Sequence, residues 1–166
     1  MEAVILRHQT ALLRYAAAVL NNPDLAQQVV QDVFIKLFSK WDELDGEEAR
    51  LRVWLFRVTH NEAVDLIRAE ERRKAREARY CEAFVAEHGE TAGASVPDER
   101  TKEVLRCVRA LSESRQRVVL LRLQQGMGYE EISAVTGFTV ATCRNLLSQA
   151  IAQLAELVEK AGGAYA

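Results

Sequence analysis

The chain has 166 residues, of which 49% are hydrophobic and 28% charged, and its formal net charge is −2. That length suits one compact domain or two small ones, and no apolar run reaches the 18 or more residues of a membrane-spanning helix. Only 8 Gly and 2 Pro interrupt a chain rich in Ala, Leu, Arg, Glu and Gln, a composition that favours helix.

The first helix is expected over Glu2–Leu20, ending at Asn21-Asn22-Pro23. There Asn22 can cap the next helix, and Pro23 suits its first position, where a missing N–H costs nothing. The second helix carries Val30, Val33, Phe34, Leu37 and Trp41 at i, i+3, i+4, i+7 and i+11, a single apolar stripe. Trp41 to Gly46 reads as a loop turned by Gly46. The third helix repeats the spacing with Leu51, Trp54, Leu55 and Val58 and runs through charged residues toward Tyr80.

Residues His88 to Pro97 are small and polar and read as a flexible linker. Residues 86–97 thus separate a first domain, 1–85, from a second, 98–166. The second opens with a helix over Asp98–Leu111. Another follows from Ser114 to Gln125, with Ser112 as a cap and Gly126 as its end. A short helix, Tyr129–Val135, stops at Thr136-Gly137. A long one begins after Thr139, with Cys143, Leu147, Ala150, Leu154 and Leu157 as a stripe at i, i+4, i+7, i+11 and i+14. Short helix, Gly-containing turn and longer helix make the layout of a helix-turn-helix; on spacing alone a generic helical hairpin fits equally. The fold class is therefore all-α, two small helical domains joined by a linker.

Charge is unevenly spread. Residues 81–100 hold five acids (Glu82, Glu87, Glu90, Asp98, Glu99) against Arg100 alone, an acidic separator between more basic pieces. Cys81, Cys107 and Cys143 are an odd number of well-separated cysteines, which reads as reduced thiols and a cytoplasmic location. Residues 1–8 lack the basic start and apolar core of a signal peptide. Cys81 and His88 would need two further ligands to hold zinc, and only His8 and His60 remain, so no metal is expected. No nucleophile-base pair, phosphate loop or paired-carboxylate motif appears, so neither enzyme activity nor a cofactor is expected.

Two stretches, in order, resemble the extracytoplasmic-function (ECF) RNA polymerase sigma factors. Pro23 to Phe34 (PDLAQQVVQDVF), Arg52 to Asn61 (RVWLFRVTHN) and Asp65-Leu66-Ile67-Arg68 are similar to region 2 of that family. Leu111, Gln116 to Arg122 (QRVVLLR), Gly126 to Ile132 (GMGYEEI) and Thr139 to Thr142 (TVAT) are similar to region 4. The resemblance implies a bacterial protein that joins core RNA polymerase and directs it to promoter DNA. It implies that Gln31, Asp32 and Lys36 meet the β′ clamp helices, while Phe34 and Leu37 are left as core. The loop around Trp41 and Asp42 and the start of the next helix would read the −10 element. Region 4 would bind the β flap and set its last helix at the −35 element, and an anti-sigma factor is a further expected partner.

Other candidate DNA contacts follow. Arg68 to Arg79 holds six basic residues against three acids, and Arg68, Arg72 and Arg73 in that run could hold phosphates. Otherwise the run is a solvated helix face. Arg52 and Arg57 share those two readings. Asn61 reads as packing polar atoms between helices, with family analogy placing it near DNA. On the last helix, turning Leu147 inward puts Ala141, Thr142, Asn145, Ser148, Gln149 and Ala152 outward, with Arg144 at the edge. Thr142, Asn145, Ser148 and Gln149 can address base edges. Arg144 is the one basic residue between Met127 and Glu159, however, so phosphate anchoring by this helix is expected to be poor. The alternative is a sigma-like interaction protein whose region 4 binds a protein, such as an anti-sigma factor, instead of −35 DNA.

Overall fold

A computed structural model describes residues 2–44, 47–80 and 106–162, and the described residues contain helices and turns but no strand. The helices are α1 (Glu2–Leu20), α2 (Pro23–Ser39), α3 (Glu48–Tyr80), α4 (Glu113–Val119), α5 (Tyr129–Thr136) and α6 (Val140–Gly162). The expected 86–97 linker, Cys81, His88 and most of the Asp98–Leu111 helix lie outside the described residues, although residues 106–109 are helical.

Local chemistry accounts for most of the boundaries. Asn21 takes a positive φ of 50°, a conformation asparagine tolerates better than most residues. Asn22 Oδ1 then accepts the backbone N–H groups of Asp24 at 3.0 Å and Leu25 at 3.1 Å, with Pro23 following it. The segment expected as a loop begins with a 3-10 turn, Trp41–Glu43, while residues 45 and 46, including the expected turn glycine, lie outside the described residues. Glu131 Oε2 accepts the Gly128 N–H at 2.7 Å and so closes the start of α5. Gly137, at φ 77°, ends that helix by donating its N–H to the Ser133 carbonyl at 2.9 Å.

The helix expected from Ser114 to Gln125 needs correction. It starts at Glu113, is α-helical to Val119, and widens into a π segment over Leu120–Gln124. Ser112 occupies the cap position without a side-chain capping bond. The widened turn closes through Gln125 N–H to the Leu120 carbonyl and Met127 N–H to the Leu121 carbonyl, with Gly126 at φ 65°.

Leu12, Tyr15 and Ala16 of α1 pack with Val30, Val33 and Leu37 of α2 and Leu55 and Phe56 of α3. Val118, Leu121, Met127, Ile132, Val135, Cys143, Leu147 and Ala150 fill the C-terminal half and belong to the same contiguous core. Truncating Leu55 or Leu121 to Ala at such a buried position removes about 2–5 kcal/mol. Phe34, Trp54 and Val58 are half-buried against it.

The two halves are docked. α5 lies along α3, and side chains of one half hydrogen-bond backbone carbonyls of the other. Gln116 Nε2 donates to the Ala18 carbonyl at 3.1 Å, one of the last-turn carbonyls that α1 cannot satisfy itself. Gln125 Nε2 donates to the Ala11 carbonyl at 3.5 Å, and the Arg52 guanidinium donates to the Gln125 carbonyl.

Candidate functional site

The outward face of α2 carries the residues expected to meet polymerase. Gln31 and Asp32 are exposed. Lys36 is exposed too, but its ammonium pairs with Glu62 of α3, so it also ties α2 to α3. Leu37 is fully buried. The same face presents Ile35 at 65% and Phe38 at 71% exposure. Sequence reasoning missed both, although a signal existed: neither falls on the Val30–Val33–Leu37 stripe.

On the promoter-facing candidates the structure is mixed. Trp41 is half-buried against the core and Asp42 is exposed. Arg57 is exposed, as are Arg68 and Arg72. Arg52, besides its bond to the Gln125 carbonyl, lies 3.8 Å from Glu131 of α5. Asn61 does not pack between helices; it is exposed, at the rim of a cleft of about 250 Å³ between α3 and α5. His60, Arg68, Arg117, Thr136 and Phe138 also line that cleft. Arg52, Asn61 and Arg68 thus lie where the two halves meet.

Beyond Arg68 the basic run is laced by its own acids. Arg73 bonds Glu70 through Nε at 2.9 Å and Nη2 at 2.6 Å, and Lys74 lies 3.9 Å from the same carboxylate. The Arg73 bond holds the Glu70 carboxyl below its usual range. Arg68 is 3.9 Å from Asp65. Surface pairs of this kind contribute little stability.

Two histidines are buried, His60 on α3 and His8 on α1. His60 Nδ1 is 2.8 Å from the Tyr15 hydroxyl. Burial, then the nearby Arg117 and Arg68, push its imidazole down to about 4, and burial raises the Tyr15 phenol. His8 is buried, with Nε2 3.8 Å from Glu48 and no hydrogen-bond partner for that nitrogen among the described residues. Burial lowers its affinity for a proton, against the pull of Glu48.

On α6, residues Ala141, Thr142, Arg144, Asn145, Ser148, Gln149 and Ala152 are all exposed, the face expected from Leu147. Thr142 N–H donates to Thr139 Oγ1 at 3.1 Å, which caps the helix. The guanidinium of Arg144 stands 5.3 Å from the Tyr129 ring centre and that of Arg122 5.1 Å from it. Arg115 of α4 donates to Gln149 Oε1 at 2.8 Å and to Gln153 Oε1 at 2.9 Å. Gln149 Nε2 in turn donates to Asn145 Oδ1 at 3.4 Å. Arg115 therefore brings to α6 a cation that a count along its own sequence leaves out, and Arg122 shares the Tyr129 ring with Arg144.

The Sigma-70 region 2 family model matches residues 4–73, and the Sigma-70 region 4 model matches residues 101–154. The ECF RNA polymerase sigma factor SigK of Mycobacterium bovis (strain BCG / Pasteur 1173P2) is 23% identical over 137 residues, 82% of this chain and 73% of SigK. SigK of Mycobacterium sp. (strain JLS) is 28% identical over 135 residues, 80% of this chain and 69% of the relative. The chain belongs to the sigma-70 family, in its ECF branch. That family consists of transcription factors and not of enzymes. Among solved structures, the sigma factor RpoE of Bartonella quintana, in complex with the anti-sigma factor NepR, shares the fold with a TM-score of 0.74. It is 24% identical and covers 95% of this chain and 96% of its own. CnrH, in complex with the cytosolic domain of CnrY, has a TM-score of 0.66 at 24% identity, covering 96% and 87%. Among the described residues, no helix is long and apolar enough to cross a membrane.

Proposed function

We propose that this ECF sigma factor binds core RNA polymerase through the outer face of α2 and carries it to promoters with α3 and α6. Residues 1–85 are then the region 2 domain, 98–166 the region 4 domain, and 86–97 their connection. The reading is carried by α2: exposed Gln31 and Asp32 stand beside exposed Ile35 and Phe38. Large apolar side chains left in water beside a carboxylate make the centre and rim of a protein interface. The β′ clamp helices are the partner proposed for that face, with Lys36 contributing after release from Glu62.

In the same reading Trp41, Asp42, Arg52, Arg57 and Asn61 address the −10 element, and Arg68, Arg72 and Arg73 hold phosphates. Thr142, Arg144, Asn145, Ser148 and Gln149 address the −35 element while region 4 engages the β flap. The protein works in the cytoplasm, where an anti-sigma factor competes for it. The second reading, a region 4 that binds a protein instead of −35 DNA, is favoured by Ile151 and Val158. Seven residues apart on α6, both are at least half exposed.

Asp32→Arg tests the first reading. The folded variant, checked by its helical content and melting temperature, is expected to lose core polymerase in a pull-down and to fail in run-off transcription. Undiminished capture by a folded variant would remove α2 from the interface. Transcription indifferent to the −35 sequence favours the second reading.

A further inference from the structure

The hydrogen bonds that join α4 to α6 fix which atoms the outer face of α6 offers. A guanidinium has donors and no acceptor, so Arg115 can hold Gln149 and Gln153 only by their oxygens, as it does at 2.8 and 2.9 Å. Gln153 then has its NH2 left for the Ala110 carbonyl, at 3.4 Å. The Gln149 NH2 is likewise turned away from Arg115, and it donates to Asn145 Oδ1 at 3.4 Å. Asn145 is thereby engaged by its oxygen and keeps its NH2, two donors, for anything that approaches. A free asparagine on a recognition helix pairs with adenine in two places, accepting from N6 and donating to N7. The Asn145 oxygen keeps one lone pair, but the bond from Gln149 holds it on the Gln149 side, so the group most available is the NH2, which matches acceptor edges: guanine N7 and O6, or thymine O4.

We propose that Arg115 is a positioning residue for −35 recognition, acting through Gln149 so that Asn145 selects a base edge rich in acceptors. This rests on the reading of α6 as the −35 helix. Arg115 itself need not touch DNA. Its effect is on which base is preferred at one position, and that separates it from a phosphate anchor, whose loss weakens all sequences alike.

The test uses the full chain assembled with core polymerase on a promoter library randomised across the −35 element, with transcripts sequenced. Wild type is expected to favour guanine or thymine at the position read by Asn145. Arg115→Met keeps the apolar stem but donates nothing, and it should shift that position toward adenine by roughly fivefold, the low end of discrimination by one amide contact. Arg115→Lys, still a pure donor, should keep part of the wild-type preference. Asn145→Ala should erase the preference there, and adding Arg115→Met to it should change nothing more. A selective wild type whose preferences survive Arg115→Met, or whose activity falls evenly over all sequences, overturns the positioning role. A wild type with no −35 preference sinks the α6 reading, and this proposal with it. The wild-type arm alone tells those two failures apart.

Discussion

α3 and α6 are the two long helices proposed to face promoter DNA, and they are charged in opposite ways. α3 carries nine cations of its own, Arg50 and Arg52 at its start through Arg79 near its end, interleaved with acids that pair with several of them. The outer face of α6 supplies Arg144 and a row of amides and hydroxyls, receives Arg115 from α4, and has Arg122 of the π segment on the Tyr129 ring that Arg144 also meets. The lesson is that the charge of a nucleic-acid-facing helix belongs to the assembled surface. Cations in excess on one helix can be spent on its own carboxylates, and a helix poor in them can be served by a neighbour.

The largest expected effect separates the two helices by what lies behind them. α3 turns its own His60 inward, and burial, then Arg117 and Arg68, push that imidazole down to about 4 from the ordinary 6.5. Between those values the unfolded chain takes up a proton that the folded chain refuses. Stability is therefore full above about pH 6.5 and falls by about 3 kcal/mol as the pH drops to 4. Urea melts at pH 7 and pH 4.5 should show most of that drop, about 2.4 kcal/mol, and His60→Gln should remove most of it. A pH dependence identical in the two proteins would rule out His60 as its source.

The outward side of α3 is tested by replacing Arg72, Arg73 and Lys74 with Gln. At about 0.9 per phosphate contact, the slope of log affinity against log salt for holoenzyme binding should flatten by roughly one to three units. An unchanged slope would mean that the run serves only its own acids. Gln116→Ala with Gln125→Ala probes the seam between the halves. Each lost hydrogen bond should lower stability by about 1 kcal/mol, and scattering should report a larger radius of gyration for the free protein. An unaltered radius would show that the apolar core alone holds the seam. The smallest effect is on the α6 side: Arg122→Met should flatten the salt slope by about one unit or less. A larger loss than the α3 triple replacement would invert the comparison.

Much of the fold was legible because its signals are local. Asn22-Pro23 and Gly137 bound their helices by backbone chemistry that a few residues determine, and the outward set on α6 follows from the position of Leu147. The π segment at Leu120–Gln124 was not legible, since an extra residue in a helical turn is accommodated by the core around it. Nor was the capture of Arg52 by Gln125 and Glu131, or of Lys36 by Glu62, because nothing in either neighbourhood of the chain announces the other. Ile35 and Phe38 carry a legible signal: periodicity excludes both from the buried stripe that takes in Phe34, and apolar side chains off that stripe are left in water.

The docking of α5 on α3 also sets a ruler against the promoter. Elements centred at −10 and −35 are about 25 base pairs apart, which at about 3.4 Å per pair is a span of about 85 Å. A compact body of this chain's length has a radius of gyration of about 15 Å, so in the docked form it can lie on one element and not on both. Arg52 makes the exclusion chemical as well as metric, since the guanidinium proposed for the −10 element is held by Gln125 and Glu131 of the other half. Reading a whole promoter therefore requires the seam to part. On the proposed assignment, the free energy of that seam would be subtracted from the affinity for any DNA that needs both halves at once.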